Sequence, residues 1–337
     1  MKNIKRWSSA KVWEWYNSIL WIKGFNYVPS NAVNSTEMWQ EETFSPELID
    51  RELKLARETG FNACRVFLQY IVWKDDPIAY LNRFDKFLEI ASLNGLSVMP
   101  ILFDDCAFAN KPPYLGVQDA PIPGVANSGW TASPGSELAL NPSEMPSLKQ
   151  YLQDFICRYA ADDRILIWDM YNEPGNCGMN DKSMPLLERA FCWAREINPT
   201  QPLTCAVWLL PYDSKCDAIC LAQSDVISFH DYNDYETTEK AILQLSEYDR
   251  PILCTEWLNR PGGNRVETHL PLFKAKKIGI YNWGLINGKT QTHLSGQTML
   301  GEPDPYPSKW QHDFYHNNYE PYCVSEISFL KEMFKEN

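Results

Sequence analysis

No cluster of lysine or arginine interrupts the 337-residue chain: 31 basic residues stand against 43 acidic ones, a formal net charge of −12. Nucleic acid and anionic membrane surfaces need a basic face, so both are disfavoured as partners. Long apolar runs are missing too, and no stretch reaches the roughly 20 residues that cross a bilayer. The N-terminal MKNIKRWSSAKVWEWY is basic, but no apolar run and no small-residue cleavage site follow it, so no signal peptide is expected. Cysteine is plentiful at ten, yet CxxC pairs are absent. Cys216 and Cys220 stand four apart with no histidine at zinc spacing, so no metal site and no cofactor are expected. Cys64, Cys205 and Cys254 fall within strand-like stretches, where they read as small apolar residues, and most thiols are expected to be free. Free thiols and the missing signal favour the cytoplasm, or a secreted or periplasmic location if a leader has been trimmed away.

There is no internal repeat, low-complexity tract or composition break, so residues 1–337 read as one domain. Strand-like and helix-like segments alternate throughout, which predicts a parallel sheet covered by helices. Eight units can be counted, with strands at 21–27, 63–67, 96–103, 165–168, 203–207, 226–229, 252–255 and 279–283. The first helix after a strand opens on Ser45 as N-cap and Pro46, and buries Ile49, Leu53 and Ala56 before Gly60 closes it. The next shows Leu81, Phe84, Leu88 and Ala91 on one face and stops at Gly95. A helix over 324–334 closes the chain. The fold class is therefore α/β, a single (β/α)8 TIM barrel. Two connections, 104–145 and 285–321, are far longer than turns. They follow strands three and eight, which puts both on the C-terminal face where this fold carries its sites.

Two strands end in glutamates. Ile165 to Trp168 is a short buried strand, and Asn172-Glu173-Pro174 follows it, the proline stopping the ladder and turning Glu173 toward a cavity. Pro251 to Trp257, PILCTEW, runs likewise into Glu256. Two carboxylates from separate strands are what glycosidic hydrolysis needs, one as proton donor to the leaving oxygen and one as nucleophile.

With these residues the chain resembles the retaining β-glycosidases of glycoside hydrolase clan A, and within it the family 5 proteins labelled cellulase, mannanase or 1,4-β-xylanase. The resemblance implies Glu173 as acid/base and Glu256 as nucleophile. It also matches Arg65 in CRVFLQY, His230 and Tyr232 in FHDY, and Trp283 at the end of strand eight. Arg65 would keep Glu256 ionised, Tyr232 would donate a hydrogen bond to it, and Asn172 would bind the sugar 2-hydroxyl. Trp283 would offer an apolar face to a sugar ring. Glu173 would need a pKa raised by burial and, later, by the negative neighbour. Trp39, on the segment after strand one, and Asp104 and Asp105, at the end of strand three, are further substrate-binding candidates; the two aspartates fit a loop-capping role equally well. Trp7, Trp13, Trp15 and Trp21 are expected at the barrel bottom. FDDCAF departs from the histidine that many family 5 enzymes carry near strand three. The implied activity is retaining hydrolysis of a β-linked glycoside, with a non-catalytic carbohydrate-binding protein or a transglycosylase as the alternatives. The two large loops and the expected cytoplasmic location, which polysaccharides do not enter, favour exo action or short oligosaccharides.

Overall fold

The computed structural model describes residues 6–335; the reading of the first five residues as part of a leaderless N-terminus lies outside them. Among the described residues nine strand segments form one parallel sheet: β1 (Lys23–Asn26), β2 (Ala63–Phe67), β3 (Ser97–Asp104), β4 (Trp168–Asn172), β5 (Leu203–Thr204), β6 (Ala206–Val207), β7 (Ile227–His230), β8 (Ile252–Glu256) and β9 (Gly279–Asn282). They follow the order β5-β4-β3-β2-β1-β9-β8-β7-β6. β5 pairs with β4 and β6 pairs with β7, so these two pieces share one strand position and close the ring. The break falls at Cys205. Across it Thr204 Oγ1 donates to Val226 O at 2.7 Å and Ser224 Oγ accepts from Cys205 N at 3.0 Å, so side chains complete the pairing the backbone leaves open. The fold is a (β/α)8 barrel.

The fourth strand lies further along the chain than its apolar run suggests. Ile165 makes only an isolated bridge to Val98, and the regular ladder extends from Trp168 to Asn172. Asp169 and Asn172 interrupt the hydrophobic pattern, but both are buried against Arg65, which satisfies them inside the barrel.

The covering helices follow the expected faces. Ile49, Leu53 and Ala56 of the helix Pro46–Thr59 are fully buried, and Gly60 ends it at φ 110°. Ser45 holds the N-cap position without a capping hydrogen bond, and Pro46 alone marks that start. In the helix Pro77–Leu93 Asp76 caps Ala79 N at 2.9 Å. The last helix, Val324–Phe334, seats Phe334 against Phe61 and Trp21. At the bottom, Trp7, Val12 and Tyr16 pack on Ile22, Met99, Ile167 and Leu253, with Trp13 and Trp15 at the margin, which plugs the N-terminal end. All ten cysteines are unpaired. Among the described residues no helix is long and apolar enough to cross a membrane.

Candidate active site

Arg65, in the middle of β2, lies fully buried beneath the C-terminal mouth of the barrel and organises it. Its Nε and Nη2 donate to Asp169 Oδ2 at 3.0 and 2.8 Å, and its Nη2 donates to Asn172 Oδ1 at 2.7 Å. Nη1 donates to Asn26 Oδ1 at 2.8 Å and to Glu256 Oε1 at 3.0 Å. A buried guanidinium is tolerable only with such pairing, and the pairing fixes three strand ends relative to one another.

Glu256, the last residue of β8, has both oxygens held: Arg65 on Oε1, and the Tyr232 hydroxyl on Oε2 at 2.8 Å. Glu173 follows the last residue of β4 with φ +45°, a left-handed conformation that is uncommon outside glycine. Asp105 braces this turn by accepting from Gly175 N at 2.7 Å, from the Tyr171 hydroxyl at 2.7 Å and from Ser183 Oγ. The Glu173 carboxylate accepts from His230 Nδ1 at 2.7 Å on Oε1, and from Cys106 Sγ at 3.2 Å and Asn176 Nδ2 on Oε2.

One carboxylate oxygen of each glutamate and one His230 nitrogen lie within 4.8 Å of one another. Such a trio could in principle hold a cation. The guanidinium of Arg65 already sits on Glu256, however, and protons from Tyr232, Cys106 and Asn176 occupy the remaining acceptor positions, so the donor set suits a carboxylate pair rather than a metal.

The two acids titrate as a pair. Burial pushes Glu173 up, but the hydrogen bond and charge of His230, helped by Cys106 and Asn176, bring it below the ordinary value. Burial raises Glu256; His230 opposes this, the negative Glu173 adds to it, and Arg65 opposes it. The expectation that burial and the negative neighbour would lift Glu173 is thus corrected by its histidine neighbour.

A cavity of about 300 Å³ opens over the pair. Phe67, Trp130 and Trp283 form one wall, with Trp130 edge-on to Phe67 at 4.9 Å and to Trp283 at 6.1 Å between ring centroids. Asn172, His230 and Tyr232 also line it.

Three expected substrate contacts lie elsewhere. Trp39 is fully buried in the helix layer; its Nε1 donates to Phe67 O at 2.6 Å, and its ring stacks on Phe44 and meets Phe84 and Phe87 edge-on. The segment after β1 folds down the outside of the barrel through the short helix Ser35–Trp39, so the indole does not reach the cavity. Asp104 accepts from Asn172 Nδ2 at 2.9 Å, Trp130 Nε1 at 2.8 Å and Cys106 N at 3.0 Å. Burial raises Asp104 to about 7 and Asp105 to about 6. Both aspartates hold other residues in place and neither lines the cavity.

Cys106, Asn127, Trp130 and Trp208 do line the cavity and were missed by sequence reasoning. Cys106 could have been found, since it follows the end of a barrel strand on the functional face. The other three carry no local signal.

Acids at the ends of β4 and β8 thus face each other under an aromatic-walled cavity at the C-terminal rim of a barrel, the face on which this fold carries its sites. The sequence pattern of the cellulase family, glycosyl hydrolase family 5, matches residues 26–288, and the chain belongs to that family. Solved structures with the same fold include the exo-β-1,4-mannosidase Op5Man5 from Opitutaceae bacterium strain TAV5, 14% identical with a TM-score of 0.66 over 94% of this chain and 59% of that one. The chain thus spans well under two thirds of that enzyme. The endo-β-1,4-mannanase from Thermotoga petrophila is 13% identical, with a TM-score of 0.60 over 95% of this chain and 77% of that one. The endo-β-1,4-glucanase Xac0029 from Xanthomonas axonopodis pv. citri is 11% identical, with a TM-score of 0.56 over 94% and 98% of the two chains. At these identities the likeness is one of fold. No curated protein matches the sequence.

Proposed function

We propose that this glycoside hydrolase cleaves a β-linked glycoside with retention, Glu256 acting as nucleophile and Glu173 as acid/base, the whole chain working as one catalytic domain. The observation that carries the reading is the approach of the two carboxylates within 4.8 Å, oxygen to oxygen, with a permanent cation on Glu256 alone. Retaining pairs stand about 5–5.5 Å apart, whereas inverting pairs leave about 6.5–9.5 Å for a water.

In the first step a Glu256 oxygen bonds to the anomeric carbon, the glycosidic C–O bond breaks, and Glu173 gives its proton to the leaving oxygen. In the second, Glu173 takes a proton from water, the water oxygen bonds to the same carbon, and the ester to Glu256 breaks. Arg65 and Tyr232 favour ionised Glu256 as the nucleophile, and the negative Glu256 in turn favours a proton on Glu173, the order the first step needs. Esterification then removes the negative charge beside Glu173, which lowers its proton affinity for the second step. Asn172 Nδ2 keeps one hydrogen on Asp104; the other points toward Cys106 Sγ at a long 3.5 Å, a contact the sugar 2-hydroxyl replaces. The substrate is a neutral oligosaccharide or smaller glycoside. The ten unpaired cysteines support a reducing compartment as the place of work.

Proton NMR of the first-formed sugar tests retention: the β-anomer is expected before mutarotation, and an α-anomer defeats the assignment. Cys106 supplies a second test. Burial pushes its thiol well above the usual value, so it remains a protonated donor to Glu173. Cys106→Ala removes a contact that stabilises the Glu173 carboxylate, so the basic limb of the kcat/KM profile moves up by roughly half to one pH unit. Cys106→Ser, which keeps a donor, holds the limb near wild type. An unmoved limb in the alanine variant rules out this role.

A further inference from the structure

The two long loops meet. Asn127 N donates to Thr290 O at 2.8 Å, Ala126 N to Thr298 Oγ1 at 3.0 Å, and Asp304 N to Gly124 O at 2.9 Å. Gln291 ties them most densely: its Nε2 donates to Ile122 O at 2.8 Å and Val125 O at 2.9 Å, and its Oε1 accepts from Gly124 N at 3.1 Å. Gly124, at φ +83°, lets the loops touch, since a Cβ there would lie 2.9 Å from Pro305 N.

The place of this bridge follows from the topology. The loops leave β3 and β9, and β2 and β1 lie between those strands in the sheet, so the bridge spans the β9-β1-β2-β3 side of the mouth. The chemistry orients the substrate across the same mouth. Glu256 must meet the anomeric carbon and Glu173 the leaving oxygen, so the leaving group extends past Glu173. On that side stands Trp208, whose Nε1 donates to Pro174 O at 3.2 Å. The sugar being transferred lies on the opposite side, over Glu256 and Trp283, with the bridge behind it. At about 300 Å³ the cavity is at the lower end of the range for ligand sites. Asn127 of the bridge lines it, and its buried Oδ1 has no hydrogen-bond partner in the protein.

We propose that the Gln291-clamped bridge closes the glycone end of the cleft, so that the enzyme removes single sugars from non-reducing ends, with Asn127 Oδ1 accepting a hydrogen bond from a hydroxyl of the terminal sugar remote from its anomeric carbon. An internal unit cannot enter, because the sugar attached to it would collide with the bridge. An orphaned buried acceptor is unfavourable until such a donor arrives. This inference rests on the reading of Glu173 and Glu256 as a hydrolytic pair.

The test uses the full chain in two stages. 4-Nitrophenyl β-glucoside, mannoside, xyloside and galactoside report the chemistry and select the sugar. A β-linked tetrasaccharide of that sugar, fluorescently labelled at its reducing end, then reports the mode of attack. Wild type is expected to yield labelled trisaccharide as the first labelled product and free monosaccharide as the only unlabelled one. Gln291→Ala, and Gln291→Glu as a variant of the same shape, are expected to release labelled mono- and disaccharide early, while hydrolysis of the nitrophenyl glycoside falls no further than in Asn127→Ala. Asn127→Ala is expected to lower kcat/KM on the nitrophenyl glycoside by about two- to tenfold with the melting temperature retained. Early labelled disaccharide from wild type overturns the closed end and leaves hydrolysis standing. A wild-type product pattern from both Gln291 variants overturns the clamp. Silence of the wild type on all four nitrophenyl glycosides defeats the hydrolytic reading and this inference with it.

Discussion

Glu256→Ala is expected to lose hydrolysis of every β-glycoside, by on the order of 10⁴-fold or more in kcat, because the proposed nucleophile is gone. Loss of folding would not explain the result. Arg65 keeps Asp169, Asn26 and Asn172 as partners when Oε1 is removed, so the buried guanidinium remains paired. The shortened side chain leaves a space on the face from which the anomeric carbon is attacked, and azide can fill it. Added azide should restore turnover of a substrate with a good leaving group and give the α-azide, since only one displacement now occurs. Mass spectrometry and NMR of the product check this. An inactive variant that azide does not rescue, with its melting curve intact, counts against Glu256 as the nucleophile.

Glu173→Ala is expected to show a different pattern, because an acid is needed in proportion to how poor the leaving group is. Removing general acid catalysis costs about 10²–10⁴-fold. The full loss should fall on alkyl glycosides and oligosaccharides, whose leaving oxygen needs a proton. A dinitrophenyl glycoside should still form the glycosyl-enzyme quickly, and the second step, deprived of its base, becomes limiting, so both kcat and KM fall. Azide, which needs no base, should accelerate that step and yield the β-azide. The basic limb of the pH profile, which the proposal assigns to ionisation of Glu173, should disappear. A uniform loss across leaving groups with the limb preserved would assign the proton to another residue. His230, 2.7 Å from Glu173 Oε1, is the first alternative to examine.

The behaviour of this pair depends on its surroundings more than on depth. Both glutamates are buried, yet one sits below and the other above the ordinary carboxylate value, and His230 enters both balances. The sequence argument weighs burial and the neighbouring acid for Glu173 and gives His230 no role toward either glutamate. In the structure His230 is closer to Glu173, at 2.7 Å, than to Glu256, at 3.5 Å. Which of two acids a histidine serves is a matter of ring orientation, which no spacing in the chain specifies.

The amino-acid sequence alone determined the barrel, the count of its strand positions and the strand ends that carry Glu173 and Glu256. These depend on local signals: short apolar runs, glycine and proline punctuation, and helix faces spaced three and four apart. The resemblance to family 5 added Arg65, Tyr232 and Trp283 to the site at the C-terminal rim. Tertiary structure alone decided the rest. The fifth strand position is shared by two short pieces because a barrel must close on both neighbours at once. Asp104 and Asp105 turned out to brace Asn172 and the Glu173 turn, and Trp39 turned inward to the helix layer. Cys106 came to Glu173, and Gln291 to Ile122 across 169 residues of chain. Such contacts join loops with no repeating pattern, and their partners are chosen by which backbone groups remain unpaired once the barrel has formed.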